Sequence, residues 1–329
     1  MKEEVVRFIG ENKPVVQMCL LTETGEDEQI VLVSKGLAKA ERLLKKIVFL
    51  ENEFDNTWVI DRKWSGHNGV LSFKPVVMNK WGYMYFGHGS RFLCMSATPP
   101  SKGGLCREYG IAEQFVGVSE MDSLFDRRRC PVIYRPVGRF SREHIEDSLE
   151  LLGDAVYDIV KDNLDKKILV HTTNYRIMKK LADEDFGVDM EDGSYLGVPI
   201  FSHNTAGERS SALESFKFCD APAVLVSPSF ERGVDLPYEL CGVQIVCKVP
   251  YLGLGDKQVK KRTEMDRGWY MEKTVNRLVQ SCGRGMRAED DNCVTFILDG
   301  CFGMLVKKEK RLFQKWFLDR ICVEEKQGE

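Results

Sequence analysis

Between residues 131 and 298, short apolar runs alternate with amphipathic ones, and this constrains the fold of the 329-residue chain more than any other feature. Residues 167–171 (KILVH) and 223–227 (AVLVS) are apolar almost without interruption. A strand of that kind is buried on both faces, as in a parallel sheet covered by helices. Further strands are predicted at 131–134, 198–202, 243–248 and 294–298. Between them, 144–163, 174–181, 208–218 and a run reaching Gln280 repeat apolar residues at helical spacing. The pattern predicts a doubly wound α/β domain with ligands beyond the carboxyl ends of its strands.

Those ends carry hydroxyls and amides. His171-Thr172-Thr173-Asn174 follows one strand, Ser227-Pro228-Ser229 opens a segment running to Pro237, and Lys248-Val249-Pro250-Tyr251 follows another. Such donors beside helix N-termini suit phosphate oxygens, although each alone is also what a helix cap or turn contains. The most specific stretch is 274–291, TVNRLVQSCGRGMRAEDD. Val275, Leu278 and Val279 repeat with helical spacing, and Gln280, Gly283, Arg284 and Arg287 follow as Q-x-x-G-R-x-x-R. Two guanidinium groups one helical turn apart make a double fork for phosphate oxygens, and Gly283 clears a side chain where a phosphate would approach.

The N-terminal part is different. Residues 5–9 and 15–21 are short apolar pieces, the second β-like, 25–28 reads as a turn, and 36–50 reads as an amphipathic helix. Residues 58–60 and 70–73 look like strands joined by a turn at 65–69, and 91–98 (RFLCMSAT) reads as an apolar strand halted by Pro99-Pro100.

With 43% hydrophobic and 29% charged residues, the composition is that of a globular chain with a core. No apolar run reaches the roughly 20 residues that span a bilayer, and no signal-peptide pattern opens the chain, so a cytoplasmic or nuclear location and no membrane partner are expected. A net charge of −3 gives no global pull on nucleic acid. Contacts to phosphates must come from local patches such as 127–129 or 257–262, which read equally well as solvated loops. None of the eleven cysteines forms a C-x-x-C pair, and Cys94, Cys130, Cys219, Cys241, Cys247, Cys282 and Cys293 sit mostly among apolar neighbours, so neither disulfides nor a metal site is expected.

Taken in order, SAT at 96–98, ILVHTTNY at 168–175, SFERGVDLP at 229–237, VCKVPY at 246–251 and QSCGRGMRAEDD at 280–291 resemble motifs III to VI of superfamily-two helicases. G-V-D-L-P, the K-x-P-Y after it and Asp290-Asp291 are similar to the DinG/XPD (Rad3-like) branch, whose members are DNA-repair motors among others. The resemblance covers about residues 58–301. It implies a RecA-like parallel sheet flanked by helices, the second motor domain, at 126–329. It also implies an N-terminal α+β portion: 1–52 as the end of an inserted helical domain or linker, and 53–125 completing the first motor domain.

By matching positions, Arg284 and Arg287 would be arginine fingers on a γ-phosphate, with Gln280 positioning the attacking water or the phosphate. Gly233, Asp235 and Gly283 would line the nucleotide cleft. Thr172, Thr173, Asn174, Ser227 and Ser229 would touch the backbone of single-stranded DNA, and Ser96 and Thr98 would couple hydrolysis to movement. The family's cofactors are ATP and Mg2+, its partners single-stranded DNA and the N-terminal motor domain of the same protein, and its working form a monomeric motor.

The departures lie mostly ahead of motif III. Neither a G-x-x-x-x-G-K-[ST] loop nor a DEAH-type acidic pair occurs; Glu26-Asp27-Glu28 and Asp183-Glu184-Asp185 do not follow apolar strands. The four-cysteine iron–sulfur pattern of many relatives is also missing and would belong outside this chain. Arg232 separates Glu231 from Gly233, and Gly300-Cys301 stands where relatives often have two arginines. The expected protein is thus the C-terminal portion of an ATP-dependent DNA helicase. The alternatives are a non-catalytic nucleic-acid-binding or partner-binding module derived from one, and RNA as the track. Purified residues 1–329 should bind ATP weakly and hydrolyse none; strand-dependent turnover by this chain alone would refute the C-terminal-portion reading.

Overall fold

The computed structural model describes residues 2–21, 28–65, 68–140, 144–189, 195–205, 207–230 and 234–324. These fall into two compact units, Met1–Val77 and Met78–Glu329.

The first unit is a helical hairpin followed by a β-hairpin. Helix α1 (Lys2–Leu21) lies antiparallel to α2 (Glu28–Glu53), with Lys13 paired to Glu41 at 2.9 Å and Lys2 to Glu51 at the far end. Residues 15–21 are therefore helical, not β-like. Their β-branched residues are a weak local preference, overridden because the continuous helix finds a partner along its length. The helix expected at 36–50 extends in both directions; most of the turn expected at 25–28, and 66–67 of the turn at 65–69, lie outside the described residues. Strands β1 (Trp58–Ser65) and β2 (Asn68–Pro75) pair antiparallel, with Trp58 facing Pro75 and Trp64 facing Gly69. Among the described residues they pair only with each other.

In the second unit, short helices α3 (Tyr83–Phe86) and α4 (Lys102–Tyr109) precede the sheet. Residues 91–98 form no strand, contrary to expectation, and Leu93 and Met95 are exposed. An apolar run becomes a strand only where neighbouring strands take up its backbone groups, and this one has none among the described residues.

The chain then runs β3 (Val132–Gly138), α5 (Ile145–Lys161), β4 (Lys167–His171), α6 (Tyr175–Ala182), β5 (Val188–Asp189), β6 (Tyr195–Leu196), β7 (Ile200–Phe201), α7 (Glu208–Phe218) and β8 (Ala223–Ser227). After these come β9 (Val243–Val246), α8 (Lys257–Met265), α9 (Arg267–Ser281), β10 (Val294–Asp299), α10 (Cys301–Glu309), α11 (Lys315–Leu318) and β11 (Ile321–Val323). Seven strands make one sheet in the order β11-β3-β10-β9-β4-β8-β7, every recorded pair parallel, while β5 and β6 form a separate antiparallel pair.

Alternation along β4 shows why the apolar runs were continuous. Ile168 and Val170 join α5 and α6 in one core, through Leu152, Val156, Ile159, Ile177 and Leu181. Leu169, between them, points into a second core with Phe216, Leu225, Phe230 and Leu236. A third cluster packs Val275, Leu278 and Val279 of α9 against Val246, Ile297 and Phe302.

Two measurements test this packing. Leu152 is fully buried, so Leu152→Ala should cost about 2–5 kcal/mol of stability, read as a lowered urea midpoint. His171 ends β4 fully enclosed; burial pushes its imidazole down to about 4, and the positive charge of Arg284 adds to the shift. Because the folded value lies below the unfolded 6.5, the neutral ring supports folding above about pH 6.5, and that support is lost as pH falls towards 4. The loss should approach about 3 kcal/mol. Urea titrations at pH 7, 5.5 and 4.5 should show a shallower decline for His171→Gln than for the natural chain.

Candidate functional site

Helix α9 is started by Asp266, whose side chain accepts from the Trp269 amide at 2.9 Å, and its apolar face is buried against the sheet. Gln280 sits in its last turn. Arg284 and Arg287 lie beyond it, in the irregular segment between α9 and β10, so the double fork does not come from one helical face as the spacing suggested. The helix stops where a buried side chain from β9 takes over its end. In the amide orientation that satisfies both its atoms, Gln244 donates to the Ser281 carbonyl at 2.6 Å and accepts from the Gly285 amide at 3.1 Å. Leaving either group unmet in this interior would cost about 1–3 kcal/mol.

Steric demand from the protein itself falls on Gly285. A Cβ at Gly285 would lie 2.4 Å from Cys293 Sγ and 2.7 Å from the Cys241 carbonyl, whereas one at Gly283 would meet nothing closer than 3.7 Å. Gly283 is thus open on the protein side.

The two arginines meet at one carbonyl. Arg284 donates through Nε to the Gln280 carbonyl at 2.9 Å and through Nη1 to the Val234 carbonyl at 3.3 Å. Arg287 Nη2 reaches the same carbonyl at 3.4 Å and Asp235 Oδ1 at 2.5 Å. Asp235 is largely exposed, so that ion pair contributes little to stability and is free to exchange partners. Gly233, with Glu231 and Arg232, lies outside the described residues.

Asp291, fully buried, secures the segment's far side. Its carboxylate accepts from the amides of Arg287 (3.0 Å), Tyr238 (3.1 Å) and Asn292 (2.9 Å). Tyr238 is held in the left-handed region at φ 52°, and its hydroxyl donates to Asp290 Oδ1 at 3.2 Å. A single carboxylate therefore ties the residues after the G-V-D-L-P string to the arginines.

Gln280 Nε2 donates to Thr98 Oγ1 at 2.6 Å, joining the S-A-T segment to the arginine helix. Ser96 is exposed and its Oγ accepts from the Thr98 amide at 3.1 Å. Two turns up α9, the buried Glu272 receives the Ser101 amide at 2.9 Å and the Ser101 hydroxyl at 2.8 Å. Sequence reasoning missed Glu272; a lone glutamate in an amphipathic helix carries no local signal.

At the strand ends, the predicted contacts divide by accessibility. Thr172 is buried and its hydroxyl donates to the Asn174 carbonyl at 3.1 Å, while Asn174 Oδ1 caps α6 by accepting from the Ile177 amide at 2.8 Å. Thr173, half-buried, adopts φ 61°. Ser227 is buried and shares a 2.7 Å hydrogen bond with His203 Nε2; Ser229, half-buried, donates its amide to Ser227 Oγ at 3.1 Å. His203, also missed, is buried beside Phe230 and organises both serines. Thr173, Asn174 and Ser229 are the ones left within reach of a ligand.

The basic patches are mostly committed. Arg262 is buried against Glu108 at 2.8 Å and over the Trp269 ring. Arg128 pairs with Asp126 at 2.7 Å, and Arg129 donates to the Asp290 carbonyl at 2.7 Å. Among the described residues no His, Cys, Asp and Glu group has the arrangement of a metal site, and no helix is long and apolar enough to cross a membrane.

Residues 158–320 match a protein-family model described as "Helicase C-terminal domain". Solved structures similar to this chain include "Structure of S. tokodaii Xpd4" (14% identity, TM-score 0.50, 88% of this chain and 59% of that one). They also include "XPD_Helicase" (15%, 0.54, 90% and 54%) and "XPD_APO" (13%, 0.56, 91% and 63%). This chain thus spans between one half and two thirds of their lengths. No curated protein matches. At these identities the structural likeness speaks for the fold, which is the XPD-like arrangement of a parallel sheet between helices. Residues 158–320 are therefore similar to a helicase C-terminal domain, set in a chain whose fold resembles that of the XPD structures.

Proposed function

We propose that this chain supplies the second half of an ATP-driven motor that moves along single-stranded DNA and unwinds duplex, closing over a nucleotide held by a P-loop domain of the same protein. The observation that carries the reading is the convergence of Arg284 and Arg287 on the Val234 carbonyl beside Asp235. Two guanidiniums gathered at a carbonyl and one exposed carboxylate fit the anionic end of a triphosphate, which can replace those weak partners. The donor set does not fit its magnesium, since no carboxylate cluster accompanies the arginines among the described residues. The metal and most of the triphosphate belong to the other domain.

The nucleotide supplies the phosphoanhydride whose cleavage drives movement. This chain's part is electrostatic: the forks of Arg284 and Arg287 neutralise charge that grows on the transferring phosphoryl group. Gln280 orients the phosphate or the attacking water, and its bond to Thr98 ties that orientation to the S-A-T segment. Asp235 and Asp291 link the arginines to the segment that begins at Ser227 and Ser229, so nucleotide state and grip on the strand share one set of contacts. Thr173, Asn174 and Ser229 hold the strand's backbone, with Thr172 and Ser227 fixing their geometry from beneath.

The test is strand-stimulated ATPase of the full-length protein, or of this chain combined with its P-loop domain. Arg284→Ala and Arg287→Ala should each lower turnover by about a hundredfold or more with strand affinity retained. Unchanged turnover would make the arginine segment structural and favour a strand-binding module without hydrolysis. Competition with RNA of the same sequence tells which nucleic acid is the track.

A further inference from the structure

The two ends of the β1–β2 hairpin are finished differently. At its base Trp58 and Val59 are buried, and Phe49, Phe54, Trp58 and Phe73 form an edge-packed aromatic cluster. Towards the turn, Trp64 is 74% exposed, Val70 59% and Leu71 57%. Strand alternation puts Trp64 and Leu71 on one face and Val70 on the other, and the exposed pair Trp64 and Leu71 marks a contact surface. Arg62 faces Leu71 and Lys63 faces Val70 in the strand register, both cations are exposed, and the nearby Asp61 is paired with Lys74 at 3.5 Å. The free charge at this end is positive.

Gly69 prepares the indole. A Cβ there would meet three ring atoms of Trp64 at 2.7–3.0 Å, so the six-membered ring lies over the facing strand's backbone while most of its surface stays open. Any other residue at 69 would displace it.

We propose that this face of the hairpin is a stacking platform for single-stranded nucleic acid, Trp64 against a base and Arg62, two residues before it on the same face, on a flanking phosphate. A held aromatic ring beside a cation grips single strands without reading their sequence. An apolar protein partner would have no use for the cation. The proposal rests on the single-strand reading above and adds to it a contact in the first compact unit.

The experiment measures binding of a fluorescein-labelled 20-nucleotide oligo(dT) to chain 1–329 by anisotropy, with tryptophan emission followed in parallel. Trp64→Ala should weaken binding about tenfold and remove most of the emission quenching, whereas Trp64→Phe should keep most of the affinity. The exposed variant Arg62→Gln, which leaves the hairpin's packing intact, should lower the slope of log Kd against log salt by about 0.7. If the natural chain binds and both variants bind equally well with an unchanged slope, the hairpin proposal fails, the single-strand reading stands, and the apolar end belongs to a protein contact. If the natural chain binds no strand, the hairpin proposal fails, and the single-strand reading is decided separately by strand-stimulated ATPase of the full-length protein.

Discussion

Burial of the parallel sheet on both faces is the constraint from which the second unit's architecture follows. Strands such as β4 and β8 send neighbouring side chains into opposite cores, so a polar group within the sheet, such as Gln244, needs partners of its own. Hydroxyls, amides and charges are driven to the strand ends and to the segments after them, where backbone groups also need partners. The candidate site is built there for the same reason that Ile168, Leu169 and Val170 are fully buried.

Within that frame, buried polar side chains act as fasteners between segments far apart in sequence. Gln244 comes from the middle of a strand to end α9, Asp291 joins the arginine segment to Tyr238, and Glu272 joins α9 to Ser101. Each satisfies several partners at once, which is the condition under which a polar group is tolerated in an interior. The exposed Asp235, paired with Arg287 at the surface, is held far more loosely. A rigid scaffold thereby presents an exchangeable contact at its surface.

Local pattern made much of this legible. Continuous apolar runs located β4 and β8 to the residue, helical spacing located α7, and Q-x-x-G-R-x-x-R singled out the segment where the two guanidiniums meet. Errors arose where a local preference met a distant partner. Residues 15–21 are helical because α1 runs the length of α2, and 91–98 is no strand because an apolar run without neighbouring strands cannot satisfy its backbone. Gly285, which the motif does not single out, is the glycine that the thiol of Cys293 crowds.

The amino-acid order by itself determined the class of fold, the alternation of the main strands and helices between β3 and β10, and the residue types gathered at the strand ends, since periodicity and turn chemistry act over a few residues. Only the tertiary structure decided that Arg284 and Arg287 meet through the Val234 carbonyl instead of a helix face, that His203 stands behind Ser227, and that Gln280 reaches Thr98. The last two contacts join residues 24 and 182 positions apart. Hydrogen bonds of that span have no counterpart in local pattern; they exist because packing the two cores brings those atoms within 3 Å.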